Sequence, residues 1–252
     1  MSNPGTLNTT IAHYIAHITF GHPSGNSFPS SLLLELSETL HQLSENNLVR
    51  VIVLQSEGIG PFCAGASFDE LLAVSDLLKG THFFSGFANV LNAMRKCKKI
   101  IIGRAQGKVV GGGVGLLSAC DVVYATSDAA VKLSEIAIGI GPFVIEPAVS
   151  RKIGKTAMSD LALHPQTWKT ASWALEKGLY NAVFDSAESM DLALANYTQT
   201  LAQSNPEALE NFKKILWEGT EDWDSVLYER ASISGKLVLS DFTKNALASF
   251  KK

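Results

Sequence analysis

Two short stretches of the 252-residue sequence put bare backbone where chemistry could use it. Ala64-Gly65-Ala66, within GIGPFCAGASF, and Gly111-Gly112-Gly113, within GKVVGGGVGLLSACD, each follow a strand-like apolar run and precede a helix-like one. The first N–H groups of a helix lack intrahelical partners, and missing side chains let a ligand approach the main chain. Each stretch taken alone reads equally well as a tight turn with close helix packing. If the two turns converge, one N–H from each could hold an oxygen that becomes an oxyanion, as acyl-transfer and enolate chemistry require. A third segment, LSEIAIGIGPFVIEPAVSRKIG, sets Glu135 and Glu146 among apolar and glycine residues. A carboxyl in such surroundings has its pKa raised, which suits a general acid or base near neutrality. Spacing alone fits a helix N-terminal acid for Glu135 and a solvent-facing charge for Glu146 equally well.

Competing motifs fit worse. A dinucleotide fingerprint begun at Gly111 meets Leu116 where its third glycine belongs, and one begun at Gly113 meets Ser118. Lys152–Thr156, KIGKT, ends like a phosphate-binding loop, but the first glycine of that motif falls on Val149. The histidines His13, His17, His22, His41, His82 and His164 have no ligand spacing, so no metal site is expected. His13 and His17 alternate with apolar residues and read as the solvent face of a strand. Cys63 reads as a small buried residue rather than a nucleophile.

Composition narrows the class. A net charge of −3 and a pI of about 6.1 provide no basic field for nucleic acid or an anionic membrane. Hydrophobic residues make up 46% and the mean hydropathy is +0.14, so some apolar surface is expected to go into subunit contacts. Cys63, Cys97 and Cys120 form no disulfide framework, which suits a reducing, cytoplasmic setting. The MSNPGTLNTT start lacks the features of a secretory signal, and the longest uncharged apolar stretch is too short and glycine-broken to span a membrane.

The elements that must position these groups follow from periodicity. Ile11–Phe20 reads as a strand, Phe28–Ser44 as a helix with Pro29 in its first turn, and Arg50–Ser56 as a buried strand. After the first glycine turn, FDELLAVSDLL reads as one helix opened by Asp69 and Glu70. The order then repeats: helix His82–Cys97, strand Lys99–Ile102, the second glycine turn, helix Val114–Cys120 and strand DVVYA. This alternation points to an α/β core of mostly parallel strands. From about Ser186 only amphipathic helices are expected, which divides the chain into a core over residues 1–185 and a helical region over 186–252.

These segments together resemble the crotonase (enoyl-CoA hydratase/isomerase) superfamily, through Val49–Leu71, Ala105–Ile140 and Arg151–Leu163, with HITFGHPSGNSF a looser match. The resemblance implies a superhelix of ββα turns with a helical C-terminal trimerisation region, assembled as a trimer or a dimer of trimers. It implies an acyl-CoA thioester as substrate, with coenzyme A arriving as part of it and no permanently bound cofactor. By motif position, Ala66 and Gly112 would supply the two N–H groups that stabilise a thioester enolate. Glu135 would be the acid/base, and Ser24, Gly25, Ala64, Gly65, Ala66, Ser67, Phe68, Gly111 and Gly112 would line the substrate path.

The sequence departs from that pattern at one telling position. Hydratases of this family carry a first glutamate where this chain has Gly115, and the aspartate usual after the AGA turn is Ser67 here. A single carboxylate can shuttle a proton between carbons or activate water, but it cannot supply a pair, so hydration would need help from water, Ser67, Ser134, Cys63 or Glu146. The GIGPFVIEP segment is similar to the methylglutaconyl-CoA hydratase branch. An acyl-CoA hydratase/isomerase with one glutamate is the leading expectation. A decarboxylase of the same superfamily and a non-catalytic CoA-ester-binding scaffold are the alternatives.

Overall fold

A computed structural model describes residues 4–249 of the chain. Strands β1 (Thr6–Ala12), β2 (Ile15–Gly21), β3 (Val51–Ser56), β4 (Ile100–Ala105), β6 (Val122–Thr126) and β8 (Ala182–Phe184) form one sheet in that spatial order. Only β1 and β2 are antiparallel; the rest pair in parallel, in a register that sets Ile15 by Val51 and Val51 by Ile100. A separate two-stranded parallel ribbon joins β5 (Val109–Val110) to β7 (Val131–Lys132).

Alternate residues of the sheet face two different layers, as the two-residue period of a strand requires. Ala16, Ile18, Phe20, Ile52, Leu54 and Ile101 belong to the main core with helices α1 (Ser30–Glu45), α3 (Leu77–Lys96) and α4 (Gly112–Ala119). Ile15, Val51, Val53, Ile100 and Ile102 pack instead on Leu194 and Ala202 of α7 (Ala187–Ala202). This two-sided burial explains why RVIVLQS reads as a continuous apolar run rather than an alternating one.

Three expectations need correction. Ile11–Phe20 is a hairpin rather than one strand, because His13 and Tyr14 both take positive φ (51° and 65°) and reverse the chain. No glycine or asparagine announces the turn; Arg50 supports it, with its N–H donating to the Tyr14 carbonyl and its guanidinium 4.3 Å from the Tyr14 ring centroid. His13 therefore sits in the turn, and His17 is half-buried on the face that α7 covers, where burial lowers its pKa. FDELLAVSDLL is likewise broken. α2 (Phe68–Leu72) is capped by Ser67, and α3 starts afresh after Asp76, whose carboxylate accepts the Lys79 N–H at 2.8 Å.

The remaining helices are α5 (Glu146–Leu163), α6 (Ala171–Glu176), α8 (Pro206–Leu216), α9 (Trp223–Leu237) and α10 (Asp241–Ser249). α10, which periodicity did not reveal, sends Leu247 into a small apolar cluster with Leu71, Phe83, Ile140 and Val238. Among the described residues no helix is long and apolar enough to cross a membrane.

Candidate active site

The two glycine-bearing turns meet. The first is held by backbone bonds on either side of Ala66: Ala64 N–H donates to the Gly25 carbonyl, Phe28 N–H to Gly65, and Ser67 N–H to Phe28. Ala66 N–H itself has no acceptor among the described residues. The second turn is anchored by Val110 N–H to the Cys63 carbonyl and Gly111 N–H to Lys132, so it is tied directly to the first. Gly111 takes φ 53°, a conformation that suits glycine, and hands the chain to Gly112, the first residue of α4. Gly112 N–H is one of the helix's unpaired donors, and a Cβ built on Gly65 would lie 4.0 Å from this nitrogen. A Cβ on Gly112 would lie 2.2 Å from the Phe87 ring, so any side chain there would have to displace Phe87.

Glu135 faces the same place. It opens a short 3-10 helix over Glu135–Ile138, and its Oε1 is 2.8 Å from where a Gly111 Cβ would be. Some of the residue keeps solvent contact, yet its Oε2 is fully enclosed and has no hydrogen-bond partner. Burial pushes the Glu135 pKa up to about 7, against a smaller opposing pull from the Glu135 and Ser134 backbone N–H groups. Ala66, Gly112 and Glu135 line one cavity of about 150 Å³, whose other walls include Leu71, Phe83, Phe84, Phe87, Ile138 and Ile145. No lysine or arginine lines it among the described residues. Ala64, Ala66 and Phe68 also border a groove of about 360 Å³ that runs past Ser24, Ser67 and His22 toward the surface.

The model of the enoyl-CoA hydratase/isomerase family matches residues 10–250. The chain belongs to this family. The bacillaene synthase dehydratase of Bacillus subtilis is 30% identical over 84% of this chain and 80% of its own length. The short-chain-enoyl-CoA hydratase of Clostridium acetobutylicum is 26% identical over 94% and 90%. The peroxisomal Δ(3,5)-Δ(2,4)-dienoyl-CoA isomerase of Arabidopsis thaliana is 25% identical over 82% and 78%. The fold matches a Bacillus halodurans enoyl-CoA hydratase with a TM-score of 0.89 at 22% identity, covering 96% of this chain and 99% of that one. The α/β crotonase fold with C-terminal helices is thus the observed one, and these relatives, a dehydratase, a hydratase and an isomerase, mark no single branch.

Within this family member, the expected residues separate clearly. Ala64, Gly65, Ala66, Phe68, Gly111, Gly112 and Glu135 line the cavity, while Ser24 and Ser67 line the groove. Gly25 lines neither but fixes Ala64 through its carbonyl. Of the proposed helpers, Cys63 is buried with its thiol pKa pushed up to about 12, and its sulfur accepts the Gly65 N–H. The Ser67 hydroxyl is spent on capping Glu70 N–H. Glu146 is held by the Ser150 hydroxyl and Arg230, which keep its pKa below the usual value despite partial burial. Ser134 alone of these four side chains reaches the cavity wall.

The reason for Gly115 is packing. A Cβ at this fully buried position would lie 2.5 Å from Ile145 Cγ2 and 2.7 Å from Ile145 Cβ. Ile145 fills the space a side chain would need, and nothing in the spacing of IGIGPFVIEP signals that. Phe87 was also missed; its neighbours Phe83 and Phe84 in HFFSGF gave only a helical apolar pattern.

Proposed function

We propose that this acyl-CoA enzyme moves protons on a short, uncharged enoyl-CoA thioester, with Glu135 as its single acid/base and the Ala66 and Gly112 N–H groups as the oxyanion hole. The observation that carries this reading is the Glu135 carboxyl, its Oε2 enclosed and without a hydrogen-bond partner, on the same cavity as two unpaired backbone donors. The thioester carbonyl oxygen accepts both N–H groups, which are aimed before the reaction and strengthen as charge moves onto it; each such donor contributes about 3 kcal/mol. With a pKa near 7, Glu135 is substantially ionised at neutral pH and can still return the proton it takes.

Two outcomes follow from the same enolate. Glu135 can remove a proton from the γ-carbon and deliver it to the α-carbon, shifting the double bond. It can also take a proton from water as the oxygen adds to the β-carbon, then give that proton to the α-carbon. With glycine at 115 and Ile145 filling the space beside it, Glu135 is the one carboxylate lining the cavity among the described residues. The groove past Ser24, Ser67 and Phe68 is the reading's path for the pantetheine arm. Among the described residues no cation lines the cavity, which argues against an acyl chain ending in a second carboxylate, and so against both a dicarboxylic substrate and decarboxylation. Exposed Leu192, Phe212, Ile215 and Phe242 on the C-terminal helices support a homotrimer, which a monomeric mass in sedimentation would remove.

The test is solvent-deuterium incorporation at the α-carbon of 2-enoyl-CoA and 3-enoyl-CoA esters of four to eight carbons. Incorporation that depends on Glu135 is expected. Tight binding of these esters without any exchange or turnover would replace the enzyme with a CoA-ester-binding scaffold.

A further inference from the structure

One polar group in the acyl cavity has no part in the proton transfers. Ser234, on α9, is 1% exposed, lines the cavity, and its hydroxyl has no hydrogen-bond partner. A serine inside a helix ordinarily bonds back to the carbonyl one turn earlier or faces water. Ser234 does neither, and the cavity it lines is walled in large part by hydrocarbon, including Phe83, Phe84, Leu71 and Ile140.

The crossing of α3 and α9 places Ser234 against the cavity. The helices run antiparallel, with Tyr228 Oη bonded to Asn89 and Arg95 bonded to Asp224. Their closest approach is a glycine pair, in which a Cβ on Gly80 would lie 2.7 Å from the Gly235 carbonyl oxygen. Ser234 is therefore beside the Gly80 turn of α3, whereas the oxyanion-hole residue Gly112 is pressed by Phe87. Gly80 and Phe87 are seven residues apart, about 10 Å along the α3 axis, so Ser234 and Gly112 abut different turns of that helix. The reacting α- and β-carbons lie within a few bonds of the thioester oxygen, at the Phe87 turn, so the Gly80 turn beside Ser234 is left to the far end of a short chain. A cavity of about 150 Å³ accepts a group the size of benzene, consistent with some six carbons.

We propose that Ser234 recognises an uncharged oxygen, a hydroxyl or a ketone, carried near the far end of a short acyl chain. This rests on the thioester reading above and adds the substrate class to it. The hydroxyl can donate to a ketone or exchange a hydrogen bond with an alcohol, and the surrounding hydrocarbon rejects a carboxylate that would go unpaired. A substrate lacking the oxygen leaves Ser234 enclosed and unbonded, which is how a site discriminates strongly against the missing group.

The experiment compares 2-hexenoyl-CoA with its 5-oxo, 6-hydroxy and terminal-carboxylate counterparts, following α-carbon exchange and kcat/KM in the wild type and in Ser234→Ala. The wild type should favour a neutral oxygenated ester over the plain one by about tenfold or more, and Ser234→Ala should bring that ratio close to one, chiefly through KM. Calorimetric binding of saturated 5-oxohexanoyl-CoA and hexanoyl-CoA to the wild type should show the same preference without any variant. A flat series, a ratio unchanged by Ser234→Ala, or a preference for the terminal carboxylate overturns the assignment while exchange on the plain ester leaves the thioester reading intact. No exchange on any ester removes both.

Discussion

Asp121 and Glu135 are both buried carboxylates, and the fold treats them in opposite ways. The Asp121 side chain is 4% exposed and saturated: Oδ2 accepts the Ile101 N–H at 2.7 Å and pairs with Lys213 Nζ at 3.0 Å, while Oδ1 accepts Trp217 Nε1–H at 3.0 Å. Lys213 also donates to the Lys99 carbonyl, and Lys152 to the Cys120 and Asp121 carbonyls, so one acid ties α8 and α5 to the end of α4 and to β4. Glu135 Oε2 has no partner at all. Burial alone therefore does not separate the acid we propose as the base from the structural one; the unpartnered Oε2 does. Glu146 falls on the Asp121 side of this division, because Ser150 and Arg230 already occupy its oxygens.

The largest expected effect breaks the comparison at Glu135. Glu135→Gln keeps the shape and removes the base, so kcat should fall by about 10²- to 10⁴-fold. Its melting temperature should stay level or rise, since burial disfavours the carboxylate it replaces. Near-normal turnover would take Glu135 out of the mechanism. Asp121→Ala should do the reverse. It leaves Lys213 enclosed without its counter-charge and should cost about 3–5 kcal/mol in urea unfolding, while the folded fraction retains its turnover. Equal destabilisation by both variants would erase the distinction drawn between the two acids.

The next effect is spread over pH. Glu135 is protonated up to about pH 7 when folded but only to the ordinary glutamate value, 4.5, when unfolded. The folded state holds the extra proton across that window, so this group's contribution is full below about pH 4.5 and is lost as pH rises through 7. The difference amounts to about 3 kcal/mol at most. It should be visible as a falling stability of the wild type relative to Glu135→Gln between pH 4.5 and 7. Activity moves oppositely, with kcat/KM rising through an apparent pKa of about 7 as the base ionises. A rate limb near 4.5 would mean that the carboxyl is solvated in the working enzyme.

Much of this contrast was legible in the sequence, because glycine turns and a carboxylate at fixed spacing are local signals. The parallel core, the paired turns and Glu135 all come from residues near one another in the chain or in recognised order. What escaped depends on distant partners. Nothing around His13 and Tyr14 signals a reversal, since Arg50 supplies the support. The Asp121 hub needs Lys213 and Trp217, some ninety residues on, and Ser234 faces the cavity only because Gly80 and Gly235 let two helices touch. Gly115 was readable as a lost carboxylate but not as a packed position, which required knowing where Ile145 goes.

That position gives the smallest effect and the sharpest check on why one carboxylate works alone. Gly115 is in the interior of α4, where alanine would ordinarily favour the helix by about 1 kcal/mol. Here a Cβ meets Ile145 at 2.5 and 2.7 Å, at branched atoms rather than a flexible end. Gly115→Ala should therefore destabilise by about 1–3 kcal/mol despite its better propensity. Ile145→Ala removes the Cγ2 that makes the nearer contact, so the double variant should be more stable than the sum of the two single costs, by about 0.5–3 kcal/mol. Additive costs would show that the Ile145 side chain beyond its Cβ is not what excludes a side chain at 115. The exclusion would then rest on the backbone placement of Ile145, whose Cβ alanine keeps, rather than on the branch of its side chain.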